Sequence, residues 1–300
     1  MENIVNIIEY DYIERNKIIE RICEKYKFVR KSIIGKSCEG KDIKALKIGN
    51  SPQYCLIAAA FHGSERITSN VALMFLERLC SAIYTDGYIA GLKARRAMIG
   101  RGVIIVPCVN PDGCDISLLG ARALGNKAAY ISKLCNNDFS HWNANGRGVD
   151  INHNFDADWH RLKEKEKSMG IYCPGPTRFG GYRPESEPET IALTRLCRTN
   201  EIRHVVALHS QGEVIYWNYG EKPIPRSRKM AEIMATSSGY ALDVPIGIAT
   251  GGGFKDWFIS EFSRPGFTVE MGIGKNPLPI ENAESIYAQL EEMFMLCCIM

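Results

Sequence analysis

Apolar residues recur at helical spacing from about Tyr12 to Tyr26, which predicts an amphipathic helix, and Phe28 to Ile48 then reads as two short strands joined at Glu39-Gly40-Lys41-Asp42. Tyr54 to Phe61 is almost continuously apolar, the pattern of a strand covered on both faces of an α/β sheet. Behind it, Ser69 to Ile83 returns to helical period and predicts the first crossover. Arg101 to Pro107 is a second buried strand, ended by a turn at Asn110-Pro111-Asp112-Gly113. Between Leu119 and Ile151 the pattern is weak and polar, as in a segment that builds a surface. Two further short strands, His204 to Leu208 and Phe267 to Val269, alternate with helical stretches at Glu187 to Asn200, Arg226 to Ser237 and Glu281 to Met295. This alternation predicts an α/β fold: a mixed, mostly parallel sheet covered by helices on both faces. No internal repeat or low-complexity tract interrupts it.

Composition narrows the class without naming a chemistry. At 300 residues the chain is long enough for one large core, and a single domain spanning 1–300, with an N-terminal helix and hairpin at about 1–50, is the expected organisation. A formal net charge of +3 is too small to argue for nucleic acid or an anionic membrane, and neither is expected as a partner. No apolar run approaches the roughly 20 residues that span a bilayer, and the amino terminus lacks the pattern of a secretory signal. The 11 cysteines are odd in number and sit mostly within apolar segments, as expected of reduced thiols used as core filler in a cytoplasmic protein.

The candidate chemistry lies where predicted strands end. His62 and Glu65 follow the first buried strand in Phe61-His62-Gly63-Ser64-Glu65, and His209 directly follows the strand His204 to Leu208. A lone His-x-x-Glu arises by chance in many chains, and a buried histidine is more often structural than ligating. Here, however, both sites lie just past the carboxyl ends of sheet strands, where α/β proteins place ligands. Two histidines and a glutamate form a zinc set that leaves one coordination position open for a catalytic water. Glu270, ending the strand in Phe267-Thr268-Val269-Glu270, is the candidate general base.

These motifs, taken in order, resemble the zinc metallocarboxypeptidases typified by carboxypeptidase A. The resemblance runs from Gly35-Lys36-Ser37-Cys38-Glu39-Gly40-Lys41 through His62, Glu65, Asn110-Pro111-Asp112-Gly113, Gly148-Val149-Asp150-Ile151-Asn152, Ser186-Glu187-Pro188-Glu189-Thr190 and His209 to Glu270. It implies an eight-stranded mixed sheet between helices, one zinc per chain, and peptide hydrolysis by a zinc-activated water with the glutamate shuttling the proton. One position departs from the family pattern: where typical members read Asn-Arg-Asn, this chain reads Asn152-His153-Asn154. A histidine lacks the permanent two-point fork with which arginine grips a free carboxyl terminus, and is mostly neutral at pH 7, so ordinary carboxypeptidase action is placed in doubt.

The stretches His209 to Trp217, Gly253 to Ile259, Arg264 to Glu270 and Asn276-Pro277-Leu278-Pro279 resemble those of bacterial γ-D-glutamyl-meso-diaminopimelate peptidases, which cut peptidoglycan stem peptides. That resemblance makes stem peptides the expected substrates. Lys255 and Asp256 are then a charge pair matched to the distal amino-acid end of diaminopimelate, or an ordinary ion pair in a surface turn. Asn152 matches the family asparagine that helps bind the substrate carboxylate, with His153 beside it. Arg147 is the candidate donor to the oxyanion, although the family arginine falls near Trp142-Asn143. Three rival functions remain open: an ordinary metallocarboxypeptidase, a zinc amidohydrolase of an acylated amino acid, and an inactive peptide-binding relative.

Overall fold

The computed structural model describes residues 3–220, 224–244 and 247–300; Met1 and Glu2, the start of the amino-terminal segment read above, lie outside them. Asp11 caps the first helix by accepting the Glu14 N–H at 2.8 Å, and α1 (Tyr12–Lys25) buries Ile18, Ile19 and Ile22. The strands β1 (Arg30–Lys36) and β2 (Asp42–Ile48) form the expected antiparallel hairpin, with Lys36 opposite Asp42. Next come β3 (Tyr54–Ala59), α2 (Ile67–Tyr84), a small hairpin of β4 (Tyr88–Ile89) and β5 (Leu92–Lys93), the short α3 (Ala94–Ala97), β6 (Gly102–Val106) and α4 (Pro111–Leu119). The polar stretch beyond carries α5 (Ala128–Leu134) and α6 (Trp159–Ser168). The carboxyl half contributes α7 (Pro188–Thr199), β7 (Ile202–His209), β8 (Val214–Tyr216), α8 (Ser227–Ser238), β9 (Ala241–Asp243), α9 (Phe254–Phe262), β10 (Gly266–Glu270) and α10 (Ala283–Ile299).

Eight strands form one mixed sheet in the order β1-β2-β6-β3-β7-β10-β8-β9. Its central four, β6, β3, β7 and β10, are parallel to one another. Alternate residues of β3 enter opposite cores: Cys55, Ile57 and Ala59 join the side chains of α1, α2, α8 and α10, whereas Tyr54, Leu56 and Ala58 join those of α7 and α9. This two-sided burial explains the unbroken apolar run. The carboxyl ends of β3, β7 and β10 therefore open on the same edge of the sheet, the usual site of ligands in α/β folds.

Two sequence expectations change. Asn110 does not begin a free turn but caps α4, its Oδ1 accepting the Gly113 N–H at 2.8 Å with Pro111 in the first helical turn. Lys255 and Asp256 are not in a surface turn: they occupy the buried start of α9, 5% and 3% exposed. The helix α6 and the three-residue strands β8 and β9 are absent from the sequence reading. The first buries only Trp159, Leu162 and Glu166, and the others are too short to show a period.

Candidate metal centre and catalytic cavity

The loop after β3 is fixed from behind by the start of α4. Val109 N–H donates to Ala59 O at 2.9 Å, Asn110 N–H donates to Ala60 O at 3.0 Å, and Asn110 Nδ2 donates to Phe61 O at 2.9 Å. The Asn-Pro-Asp-Gly motif thus caps a helix and pins the chain leading to His62 in one stroke. Gly63 is needed here, because a Cβ on it would lie 2.2 Å from Gly113 O and 2.5 Å from Trp142 O.

Glu65 turns back between the two histidines. Its Oε1 lies 2.8 Å from His62 Nδ1 and its Oε2 lies 3.0 Å from His209 Nδ1, and the donor atoms of the three residues all lie within 4.8 Å of one another. His209 is 2% exposed, emerges directly from β7 and stacks on Phe61, with ring centroids 5.0 Å apart. Burial opposes ionisation of Glu65, but the two imidazoles outweigh it and bring the carboxyl down to about 2. For His62, burial opposes the charge, and the facing Glu65 and Asp150 carboxylates raise its pKa well above the ordinary imidazole value. A buried carboxylate flanked by two imidazole nitrogens is a donor set that fits a zinc ion.

Asp150, quoted in the sequence only as part of a motif, is the outer partner of this set. Its Oδ1 accepts from His62 Nε2 at 3.0 Å, and its Oδ2 accepts the Arg178 N–H at 2.9 Å. Burial works against the charge, yet His62, His153 and the amide of Arg178 hold the carboxyl well below its usual range. Such a partner fixes the tautomer and orientation of a ligating ring. Asp150→Asn is therefore expected to weaken zinc affinity by about 10- to 100-fold while the fold persists; titration against a chelator buffer measures it, and unchanged affinity would remove Asp150 from this role.

Glu270 closes β10 in register with His209 and lines a cavity of about 660 Å³ at the sheet edge. Burial first, and then the neighbouring Glu65 charge, push its carboxyl up to about 8, with His62 acting in the opposite direction. His62, Glu65, His209, Asn152, His153, Lys255 and Asp256 line the same cavity.

The sequence candidates differ in what they offer there. Asn152 Oδ1 accepts the Phe254 N–H at 3.0 Å, which ties one cavity wall to the start of α9. Lys255 Nζ is paired with Asp256 and donates to Asn218 O at 2.8 Å, while Asp256 Oδ2 accepts the Gly251 N–H at 3.0 Å. His153 donates from Nδ1 to Arg178 O at 2.8 Å and lies 3.5 Å from Glu166 Oε1. Burial opposes its charge, but Asp150 and Glu166 raise its pKa, so the ring is more cationic than the neutral histidine expected from sequence. Its Nε2 still supplies a single donor, with no fork.

Arg147 is not brought to the cavity. Asn145 Oδ1 accepts the N–H groups of Arg147 and Val149, and the resulting turn directs Arg147 outward, its side chain 50% exposed and Nη1 3.6 Å from Glu187 Oε2. Asn143 lines the cavity instead and accepts from Ser64 Oγ, and among the described residues no arginine lines it. A second convergence, of Cys38, Asp112 and Glu189, is closed by its own hydrogen bonds. Cys38 N–H donates to Glu189 at 2.9 Å and Glu39 N–H donates to Asp112 at 2.9 Å, so these carboxylates clasp the β1–β2 turn.

Comparison with known proteins agrees with this architecture. The chain is 37% identical over 290 residues to γ-D-glutamyl-L-diamino acid endopeptidase 1 of Lysinibacillus sphaericus, covering 95% of this chain and 71% of that protein. It is 30% identical over 158 residues to murein peptide amidase A of Escherichia coli, covering 51% of each. The structure of bovine thrombin-activatable fibrinolysis inhibitor, in complex with tick carboxypeptidase inhibitor, superposes with a TM-score of 0.76 at 20% identity, covering 97% of both chains, and so shares the fold. No described helix is long and apolar enough to cross a membrane. The zinc carboxypeptidase pattern matches residues 16–295, and the chain belongs to this family of zinc-dependent peptidases.

Proposed function

We propose that this peptidase hydrolyses the bond between γ-linked D-glutamate and the diamino acid of peptidoglycan stem peptides. The observation that carries the reading is the cavity's charge pattern: no arginine among its described lining residues, and a buried Lys255–Asp256 pair in its wall. A lone free carboxylate, the hallmark of an ordinary carboxyl terminus, finds no fork there. A residue carrying both an amino group and carboxylates on its branches meets groups of both signs. The similarity to a relative named for the γ-D-glutamyl-diamino acid bond supports the same reading.

We assign one zinc per chain to His62, Glu65 and His209. When bound, zinc supplies Lewis acidity and a water of lowered pKa. Glu270 holds the proton taken from the attacking water and returns it to the leaving nitrogen. Asn152 and His153 present single donors to a substrate carboxylate, while Lys255 and Asp256 orient the charged end of the diamino acid. Asn143 occupies the place where sequence reasoning sought an oxyanion donor. The 11 free thiols support a reducing compartment, which we take to be the cytoplasm, where small soluble stem peptides are the accessible substrates.

The test compares L-alanyl-γ-D-glutamyl-meso-diaminopimelate with hippuryl-phenylalanine and hippuryl-arginine, followed by mass spectrometry. The stem peptide is expected to win by about 10²-fold or more in kcat/KM, because the hippuryl substrates depend on a terminal carboxylate for which the described cavity lining offers no arginine fork. Comparable rates would return the chain to the ordinary carboxypeptidases. Restoring the arginine by His153→Arg is expected to shift preference toward carboxyl-terminal substrates.

A further inference from the structure

Two lysines line the cavity, and they differ in what surrounds them. Lys255 is buried and committed to Asp256 and Asn218 O. Lys275 is exposed at the rim, and among the described residues no acidic group or hydrogen-bond acceptor engages its ammonium. The backbone beneath it is nevertheless fixed. Asn276 exchanges two hydrogen bonds with Ser210, Oγ to Oδ1 at 2.8 Å and Nδ2 to O at 2.7 Å. Gly212 N–H donates to Gly272 O at 2.7 Å, and Met271 N–H donates to His209 O at 2.9 Å. The loop that carries Lys275 is thereby laced to the segment that carries His209, so its attachment point is set relative to the metal ligands.

The cavity therefore has two walls of different chemistry. One, built from Asn152, His153 and the start of α9, carries the Lys255–Asp256 pair assigned above to the diamino acid. The other, built from Ser210, Gln211, Lys275 and Asn276, offers one uncompensated cation. Resting on the function proposed above, we infer that Lys275 binds the free α-carboxylate of the γ-linked D-glutamate, on the acyl side of the bond that breaks. An ordinary α-peptide bond has no charge there, because the α-carboxyl is consumed in the bond itself. The γ-linkage leaves it free, and a lysine ammonium at the rim is the matching group. Lys275 would then make the site selective for the unusual linkage, in addition to any selection for the diamino acid.

The experiment uses the zinc-loaded full chain and two tripeptides, L-alanyl-γ-D-glutamyl-meso-diaminopimelate and its counterpart with the glutamate α-carboxylate converted to a carboxamide. Wild type is expected to favour the carboxylate in kcat/KM by about 10- to 100-fold, a preference that shrinks with added salt. K275Q is expected to bring the ratio near unity, mainly through KM, with zinc content and circular dichroism unchanged; K275R is expected to restore much of the preference. A K275Q protein that keeps the wild-type ratio overturns the assignment while leaving the proposed function standing. Cleavage of neither tripeptide by wild type overturns the substrate reading itself, and this assignment with it.

Discussion

Replacing His209 by alanine is expected to remove zinc and peptidase activity together, with a loss of metal affinity larger than the roughly 10²-fold that an outer partner's removal costs. The expectation comes from how little freedom the site has. His209 emerges directly from β7, is packed on the Phe61 ring and holds one of the two oxygens of Glu65. Alanine leaves that oxygen with only the Ser210 N–H, at 3.3 Å, and no other described residue offers a third donor to His62 and Glu65 in this convergence. Metal analysis of the purified variant alongside tripeptide turnover measures both quantities. Full zinc occupancy would show that the ligand set is different.

Glu270→Gln is expected to do the opposite with the metal: zinc stays, and the rate falls by about 10²- to 10⁴-fold, the usual worth of a general base. The amide preserves shape but cannot take a proton. In metal-free protein the same change has a pH signature. The Glu270 carboxyl rises from an ordinary 4.5 to about 8 on folding, so the native chain binds a proton that the unfolded chain releases. Its contribution to stability is full below about 4.5 and is lost as pH rises through about 8. Metal-free wild type should thus lose melting temperature relative to metal-free Glu270→Gln between pH 5 and pH 8.5. Parallel melting curves for the two proteins would contradict this, as would a zinc-loaded Glu270→Gln enzyme of wild-type rate.

What the sequence shows depends on how locally each feature is encoded. The buried strands β3, β6 and β7 are legible because burial on both faces leaves a short apolar run bounded by polar and turn residues. Ligand candidates are legible because a histidine or carboxylate at the end of such a run stands out. Asp150 is not: its importance comes from a contact with His62, 88 residues away, which no spacing announces. Arg147 illustrates the converse error. Its charge suits an oxyanion, but the turn capped by Asn145 directs it outward, and that turn is visible only in three dimensions. Asn110-Pro111-Asp112-Gly113 is read correctly as a break in the strand and incorrectly as a loop, because a helix cap and a turn use the same residues. For Lys255 and Asp256 the sequence leaves a substrate-matching pair and a surface turn equally open, since nothing in a charged dipeptide reveals that each buries the other's charge.

The way the ligand-bearing strands are anchored bears on what the fold owes to its ion. In small zinc-folded domains the ion is the nucleus, and the chain is shapeless without it. Here a large two-sided core holds the strands that present the donors, and Asp150 holds the His62 ring from the far side. That core is built from apolar side chains, none of them a ligand, so removing zinc is expected to abolish activity while the secondary structure persists. Zinc needs deprotonated donors, so its affinity is expected to fall as pH falls, with no refolding step.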